Sequence, residues 1–267
     1  MVFQIKNKRV LVDPWLVGTL QFGSPYIFEA QKELLQDMQS ANHAKITEKF
    51  GRFDAILLSQ HLPDHLHAPT LRVMDKNIPV FGPPEAIDMV KSLGFKNCTV
   101  IDHGQTVSLF GDESPAVSRV DVKATVGAVV GPPWSKPMNG YVITFHDFNK
   151  TLYYEPHADA TSSTLRNAVK KVDIAILPAI QAELGIAPLT YPLVNGGDKT
   201  LDTLRIIKPS LFIPLINGTW KSRGLLDKLV SMKGDLSTFV QSVERDSSLS
   251  CKVVTDQKPG RPVDLLV

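Results

Sequence analysis

The chain lacks most of the features that would assign it to a specialised class of protein. Its two cysteines, Cys98 and Cys251, are too far apart for a zinc knuckle or a disulfide framework, which favours a reducing compartment. Its 29 basic and 27 acidic residues give a formal charge of +2, so no global field attracts nucleic acid or anionic membranes. Charged residues interrupt the N-terminal apolar pattern, which predicts no signal sequence and no membrane span. We expect a soluble protein of the cytoplasm, or of an organelle after removal of a transit peptide.

Two common catalytic motifs are also missing from the sequence. Ser59 has no GxSxG elbow around it, and the Gly-rich segments lack the GxxxxGK order of a phosphate-binding loop. The chain has no repeat of solenoid period and no long linker, and 43% of its 267 residues are hydrophobic, enough for a sizeable core. The sequence therefore predicts a single domain over residues 1–267, with no nucleic-acid partner.

Short β-branched runs separated by helical patterns are the main feature that is present. Strands are predicted at 9–14, 54–59, 78–82, 98–102, 106–110, 117–126, 140–145, 151–155, 173–178 and 211–216. Helical patterns cover roughly 27–50, 84–94, 161–171, 198–208 and 225–231. This order predicts a mixed α/β fold with two sheets. Two long Gly- and Pro-rich segments, 126–140 and 182–197, are interpreted as loops that either line a pocket or simply connect elements.

Potential metal ligands follow two of the predicted strands. Within LLSQHLPDHLHAPT (57–70), three histidines and one aspartate occupy seven positions: His61, Asp64, His65 and His67. A second set follows the strand in LYYEPHAD (152–159): Glu155, His157 and Asp159. The ends of strands are where α/β folds place reactive groups, and catalytic metals need imidazole and carboxylate donors from several segments. The spacing alone leaves two interpretations open: a metal site, or histidines that cap helices and pair with carboxylates.

In these motifs the chain resembles the metallo-β-lactamase fold superfamily, especially its ascorbate-phosphate lactonase-like branch and uncharacterised plant and cyanobacterial members. The resemblance runs in order through VLVDPWL (10–16), DAILLSQHLPDHLH (54–67), LYYEPH (152–157) and LFIPLINGTW (211–220). It implies a four-layer αββα sandwich, in which two mixed β-sheets pack face to face with helices on the outer faces. It also implies a site for one or two metal ions at one edge of the sandwich.

The resemblance shows in addition that the metal motif is incomplete, or degenerate. The loop of the superfamily reads HxHxDH, and alignment on Asp64 and His65 puts Gln60 and Leu62 at two histidine positions. The bridging aspartate falls on His157, whose imidazole still binds zinc. Ile216 or Asn217 stands where the last histidine is expected.

The activity that the resemblance implies is that of a metal-dependent hydrolase acting on a small ester, lactone or phosphodiester. The implied site is reduced and mononuclear, with Asp64, His65 and His157 as its ligands. Zinc is the first choice for the divalent metal, with iron and manganese as alternatives. Asp64 and His65 would also take part in catalysis, with Asp64 orienting the nucleophile.

Three residues at or beside the vacated ligand positions are predicted to contact the substrate: Gln60, His61 and Asn217. Three basic residues near the expected pocket weakly favour an acidic small molecule over a neutral one: Lys136, Lys221 and Arg223. The alternative hypothesis is a non-catalytic ligand-binding or interaction protein, which keeps the fold but has lost the metal site and needs no cofactor.

Overall fold

A computed structural model describes residues 1–111, 119–130, 135–159, 162–169, 171–186, 188–216 and 218–263. The chain divides into two compact units. Unit 1 comprises Met1–Asp102, Leu109–Ser118 and Gly218–Asp227, and unit 2 comprises His103–Ser108, Arg119–Asn217 and Lys228–Val267. The assignment of residues 1–267 to a single domain stays a prediction.

Unit 1 contains a mixed sheet, a small antiparallel sheet and three α-helices in its described residues. The mixed sheet has the order β1 (Val2–Ile5), β2 (Lys8–Val12), β5 (Ala55–Leu57), β6 (Val80–Gly82), β7 (Cys98–Val100). β1 is antiparallel to β2, and the other neighbours are parallel. The small sheet has the order β16 (Trp220–Arg223), β4 (Phe28–Lys32), β3 (Leu20–Phe22). The helices are α1 (His43–Phe50), α2 (Ala68–Val73) and α3 (Pro84–Ser92), with a 3₁₀ helix at Glu33–Met38.

The core of unit 1 follows from the position of β5 between two parallel neighbours. A parallel strand covered on both faces reads as a continuous apolar run, and Ala55–Leu57 is fully buried. Leu11, Ile56 and Val80 from three adjacent strands pack with Ile87 of α3 in one cluster of buried side chains. This cluster fixes the carboxyl ends of β2 and β5, from which the loops of the candidate site start.

Unit 2 contains a seven-stranded mixed sheet and a three-stranded antiparallel sheet in its described residues. The large sheet has the order β18 (Lys252–Val253), β15 (Leu211–Leu215), β12 (Ile174–Pro178), β11 (Lys150–Tyr154), β10 (Asn139–Phe145), β9 (Val120–Val126), β8 (Thr106–Ser108). The strands from β8 to β11 are antiparallel neighbours, and those from β11 to β18 are parallel. The small sheet has the order β14 (Leu189–Val194), β13 (Gln181–Ile186), β17 (Val230–Lys233).

Three α-helices complete the described part of unit 2: α4 (Ser162–Ala168), α5 (Asp198–Ile207) and α6 (Leu236–Arg245). A short 3₁₀ helix lies at His146–Phe148, and a second, Leu226–Leu229, begins in unit 1 and ends in unit 2. Leu204 of α5 and Phe239 of α6 pack with Tyr153, Ala175 and Phe212 of the large sheet in a second buried cluster. The helices therefore cover the apolar side chains of the parallel strands.

The structure confirms the predicted mixed α/β fold class, and its sheets and helices are consistent with an αββα sandwich. Three local predictions were wrong. Residues 27–50 form β4, a 3₁₀ helix and α1 instead of one helix, and 225–231 form a 3₁₀ helix followed by β17. Segment 182–197 contains most of the β13–β14 hairpin and is not a loop. No helix in the described part of the chain is long and apolar enough to cross a membrane.

Candidate metal centre

Asp13 is the first polar residue at the carboxyl end of β2, beside the end of β5. Because Val12 pairs in parallel with Leu57, the residues that follow the two strands emerge at the same edge of the sheet. The Asp13 amide donates to the Leu57 carbonyl at 3.1 Å. Asp13 has a φ of +45°, a left-handed conformation that aspartate and asparagine tolerate better than most residues. This backbone turn directs the chain out of the strand.

The Asp13 carboxylate holds both Ser59 and His65. Its Oδ1 accepts the Ser59 amide at 2.8 Å, and its Oδ2 accepts the Ser59 hydroxyl at 2.7 Å. The same Oδ2 lies 2.9 Å from His65 Nδ1, which is also 3.0 Å from Ser59 Oγ. A carboxylate in this position fixes the orientation of the imidazole and the nitrogen that carries the proton. The sequence motifs did not reveal this role of Asp13; its place after β2 was the available signal.

Asp64 approaches the opposite side of the same imidazole. Its Oδ2 lies 3.3 Å from His65 Nε2, and the histidine is 8% exposed. Burial disfavours the charged ring, but the carboxylates of Asp64 and Asp13 outweigh it and raise the pKa of His65 to about 10. Without a metal, His65 is therefore an imidazolium held between two carboxylates at neutral pH.

His157 follows β11 in unit 2 and is anchored by its ring and its backbone. Its Nδ1 lies 2.6 Å from the Leu193 carbonyl, which only accepts, so Nδ1 carries the proton and the lone pair of the neutral ring is on Nε2. Its carbonyl accepts the Asn195 amide at 2.8 Å. Its own amide donates to Glu155 Oε1 at 3.2 Å. These contacts give the side chain one orientation.

Glu155 is the buried carboxylate that organises this second loop. It is 1% exposed, and its Oε2 also accepts the Asp159 amide at 3.0 Å. Burial raises the pKa of Glu155 to about 7, although the amide donors of His157 and Asp159 oppose the shift. A Cβ at Gly140 would lie 2.6 Å from Thr125 Oγ1 and 3.1 Å from Glu155 Cγ, so glycine is required beside this carboxylate.

Unit 1 supplies two of the three predicted metal ligands, Asp64 and His65, whose Oδ2 and Nε2 atoms are 3.3 Å apart. Unit 2 supplies the third, His157, whose ring is oriented by the Leu193 carbonyl. The assignment of these three residues as ligands of one metal ion stays a prediction.

The other residues singled out from the sequence have different surroundings. Gln60 is 2% exposed, whereas His61 is exposed to solvent. Asn217 lies outside the described residues. His67 caps α2: its Nδ1 lies 2.9 Å from Thr70 Oγ1, and its Nε2 lies 3.0 Å from the Thr19 carbonyl. The proposed substrate contacts of Gln60, His61 and Asn217 stay predictions.

Comparison with known families identifies the fold. The profile of the beta-lactamase superfamily domain matches residues 1–216. The chain belongs to this superfamily. Its metallo-β-lactamase fold is hydrolase-like, which confirms the coarser part of the resemblance noted in the motifs. No curated protein matches this superfamily member in sequence.

Three solved structures have a similar fold. The isothiocyanate hydrolase from Delia radicum gut bacteria has a TM-score of 0.59 and 18% identity, covering 95% of this β-lactamase-superfamily chain and 91% of its own. A possible metal-dependent hydrolase from Veillonella parvula has a TM-score of 0.58 and 15% identity, with coverages of 94% and 92%. A metallo hydrolase from the hyperthermophilic archaeon Ignicoccus hospitalis has a TM-score of 0.60 and 15% identity, with coverages of 95% and 90%. At these identities the likeness establishes the fold alone.

Proposed function

We propose that the chain is a metal-dependent hydrolase in which Asp64, His65 and His157 bind one divalent ion, with zinc preferred. The observation that carries the proposal is the Asp64–His65 pair, whose Oδ2 and Nε2 atoms are 3.3 Å apart, on an imidazole that Asp13 orients through Nδ1. One carboxylate and two imidazoles are the donor set of several catalytic zinc and iron sites, which keep an open position for water or substrate. Two structural neighbours described as metal-dependent or metallo hydrolases are consistent with it.

The separation of the two donors in unit 1 suits tetrahedral coordination of a metal ion. Metal–ligand distances of about 2.0–2.1 Å correspond to ligand–ligand separations of roughly 3.3 Å. His65 Nε2 and Asp64 Oδ2 are 3.3 Å apart. In each histidine, Nδ1 is hydrogen-bonded to an oxygen atom. The partner of His65 is the Asp13 carboxylate, and the partner of His157 is the Leu193 carbonyl. Such partners on the second nitrogen are typical of metal-ligating histidines.

The sequence supports one ion instead of two. A second ion would need the additional histidines of the HxHxDH loop, and Gln60 and Leu62 occupy those positions. The leucine side chain has no lone pair to offer, and a glutamine amide is a weak ligand for zinc compared with imidazole. We therefore propose a mononuclear site.

A bound divalent ion would supply a lowered pKa for water and polarisation of a carbonyl or phosphoryl oxygen. The Asp64 carboxylate would accept a hydrogen bond from the attacking water and orient it towards the substrate. Asp13 and Ser59 would hold the His65 ring in place, and Glu155 would fix the backbone that carries His157. These roles suit cleavage of a small ester, lactone or phosphodiester, as in the lactonase-like branch that the motifs resemble.

Metal content and hydrolysis test the proposal together. Protein purified without a chelating tag should contain about one equivalent of zinc, iron or manganese, or gain it on reconstitution. Hydrolysis of a panel of lactones, esters and phosphodiesters should depend on the metal and be lost in Asp64→Ala and His157→Ala. Lys8 and Arg9 hold Asp54 at the opposite end of β5, so Asp54→Ala is the matched control. Less than about a tenth of an equivalent of metal after reconstitution would refute the proposal.

One observation favours the alternative, a ligand-binding or interaction protein without metal. The imidazolium of His65 already pairs with the buried Asp13 carboxylate at 2.9 Å and with the half-buried Asp64 carboxylate at 3.3 Å. Such an ion-pair network would stabilise the loop with no metal present. A protein that binds no metal, and whose stability falls in Asp64→Ala and His65→Ala, would support this second function.

A further inference from the structure

Lys32 at the end of β4 has a desolvated ammonium group that forms no ion pair with a carboxylate in the described part of the chain. Side chains alternate along a strand, so Lys32 shares a face with Ala30, which is 3% exposed. Among the described residues, Lys32 Nζ forms no salt bridge. Its contact is the Trp15 ring, whose centroid lies 4.6 Å away. Burial lowers the pKa of Lys32 to about 8.

The acidic residues nearest to Lys32 in sequence are engaged elsewhere. Glu29 is an odd number of residues from Lys32 on β4, so it lies on the opposite face. Its Oε2 accepts from Arg223 Nε at 2.6 Å, and its Oε1 accepts from Thr19 at 3.1 Å. Glu33 accepts the Thr219 hydroxyl at 2.9 Å. Neither carboxylate is therefore available to balance the charge of Lys32.

The surroundings of Lys32 are aromatic and lie beside the loops of the candidate metal centre. Trp15 comes two residues after Asp13, and its ring centroid is 5.8 Å from that of His67, two residues after His65. The indole N–H of Trp15 donates to the Gly18 carbonyl at 3.2 Å, so the ring would contact a ligand through its apolar face and not through a hydrogen bond. Trp220 stands directly opposite Lys32 in the antiparallel register and is 40% exposed. A ligand here would meet the Lys32 ammonium between aromatic surfaces, with the N-terminal ammonium of Met1 close enough to interact with the same charge.

We propose that Lys32 is the anchor of a binding site for a small organic oxyanion, a carboxylate or a phosphate ester. A desolvated ammonium without a counter-ion is costly, and an oxyanion would remove that cost. The ammonium binds carboxylate and phosphate alike as a compact point charge, and the indole rings suit an apolar group next to the charge. The anion site depends on unit 1 residues alone. Its assignment to the acidic end of a hydrolysable substrate rests on the proposed function.

Anion binding to metal-free protein tests this site independently of hydrolysis. Inorganic phosphate and acetate are titrated in separate calorimetric experiments into the full chain, Lys32→Met and Lys91→Met. Lys91 on α3 is exposed and serves as the matched control. At least one anion should bind to the wild type and Lys91→Met, with an affinity at least about tenfold weaker in Lys32→Met. Preference for phosphate or acetate identifies the ligand class. Absence of binding by both anions, or equal binding in Lys32→Met, would overturn the proposal.

Lysine labelling of the wild type keeps the test decisive if Lys32→Met fails to fold. An acylating reagent at about pH 8 should modify Lys32 readily because its amine is partly neutral there. The anion that binds should slow labelling of Lys32 and leave Lys91 unaffected; unchanged labelling of Lys32 would contradict the site.

If anions bind but no metal does, the anion site stands and the hydrolase proposal fails. If metal binds and hydrolysis occurs but KM is unchanged in Lys32→Met, Lys32 does not anchor the substrate.

Discussion

Replacing Asp13 with asparagine should weaken zinc binding without removing a metal ligand. Asparagine tolerates the φ of +45° at this position, so the backbone turn should persist. Its carbonyl can keep the Ser59 amide, but its NH₂ group would face His65 Nδ1 in place of Oδ2. Nδ1 would then act as an acceptor, and the proton of the neutral ring would move to Nε2. That nitrogen faces Asp64 and is the one available to a metal.

The expected loss is measurable. Removing such a partner of a ligating histidine costs roughly 10–100-fold in metal affinity, or about 1.4–2.7 kcal/mol. Losing a buried hydrogen bond to a charged group lowers the free energy of unfolding of the metal-free protein by about 1.5–3 kcal/mol. The pKa of His65 should fall as well, because Asp13 is one of the two carboxylates that raise it.

Zinc affinity is measured by competition with a chromogenic chelator, and stability by urea unfolding of the metal-free protein. Asp54→Asn is the control, since Asp54 accepts the Arg9 amide at 2.9 Å and the Lys8 ammonium at 3.1 Å at the other end of β5. The control should lose stability and keep its zinc affinity. If Asp13→Asn binds zinc as tightly as the wild type, the proposed shift of the His65 proton to Nε2 does not control metal binding. Equal weakening in both variants would show that general destabilisation is the cause.

Three further predictions concern other polar groups. Glu155→Gln should lower zinc affinity in the same chelator assay, because an amide NH₂ cannot accept a backbone N–H; lost stability with unchanged affinity would limit Glu155 to folding. Lys32→Met should have a higher free energy of unfolding than the wild type at pH 7, in a buffer free of carboxylate and phosphate, because methionine carries no charge to bury. The pKa of Lys32 is about 8 in the folded protein and about 10.5 in the unfolded chain, so the wild type becomes more stable as the pH rises from 8 to 10.5. The difference in stability between Lys32→Met and the wild type should therefore shrink over this range. A difference that stays constant in urea unfolding would contradict this. Hydrogen bonds from Ser237 and Thr238 lower the pKa of Asp235, the N-cap of α6, to about 2, so the stability it adds is present above pH 4. Asp235→Ala should therefore lower the melting temperature at pH 6 but not near pH 2; an equal loss at both pH values would contradict the cap.

The sequence predicted the fold class because the central strands carry a clear signal. β5 and β12 are buried along their whole length and appear as uninterrupted apolar runs. The hairpin formed by β13 and β14 was missed because Gly185 and Pro192 indicate a loop and the first four residues of β14 are exposed. Strand β4 was missed because its sequence favours helix, whereas pairing with β3 and β16 fixes it as a strand.

The candidate site was predictable to the extent that it depends on local sequence. Asp64 and His65 are adjacent in the sequence, and their side chains lie 3.3 Å apart. Their assignment as metal ligands stays a prediction. The role of Asp13 depends on the parallel pairing of Val12 with Leu57, which no local pattern reveals. The hydrogen bonds from Glu155 to the His157 loop were also not predictable, because the burial of this carboxylate at the end of β11 is set by the tertiary fold.

The missing side chain at Gly140 links the evolution of two positions. A larger residue there would overlap Thr125 and press on Glu155, so Gly140 can change only in a lineage that has already shortened one of its neighbours. Homologues should therefore exchange residues 140 and 125 together, and a sequence with alanine at 140 and threonine at 125 should be rare. Divergence at this point of the fold would proceed in paired steps.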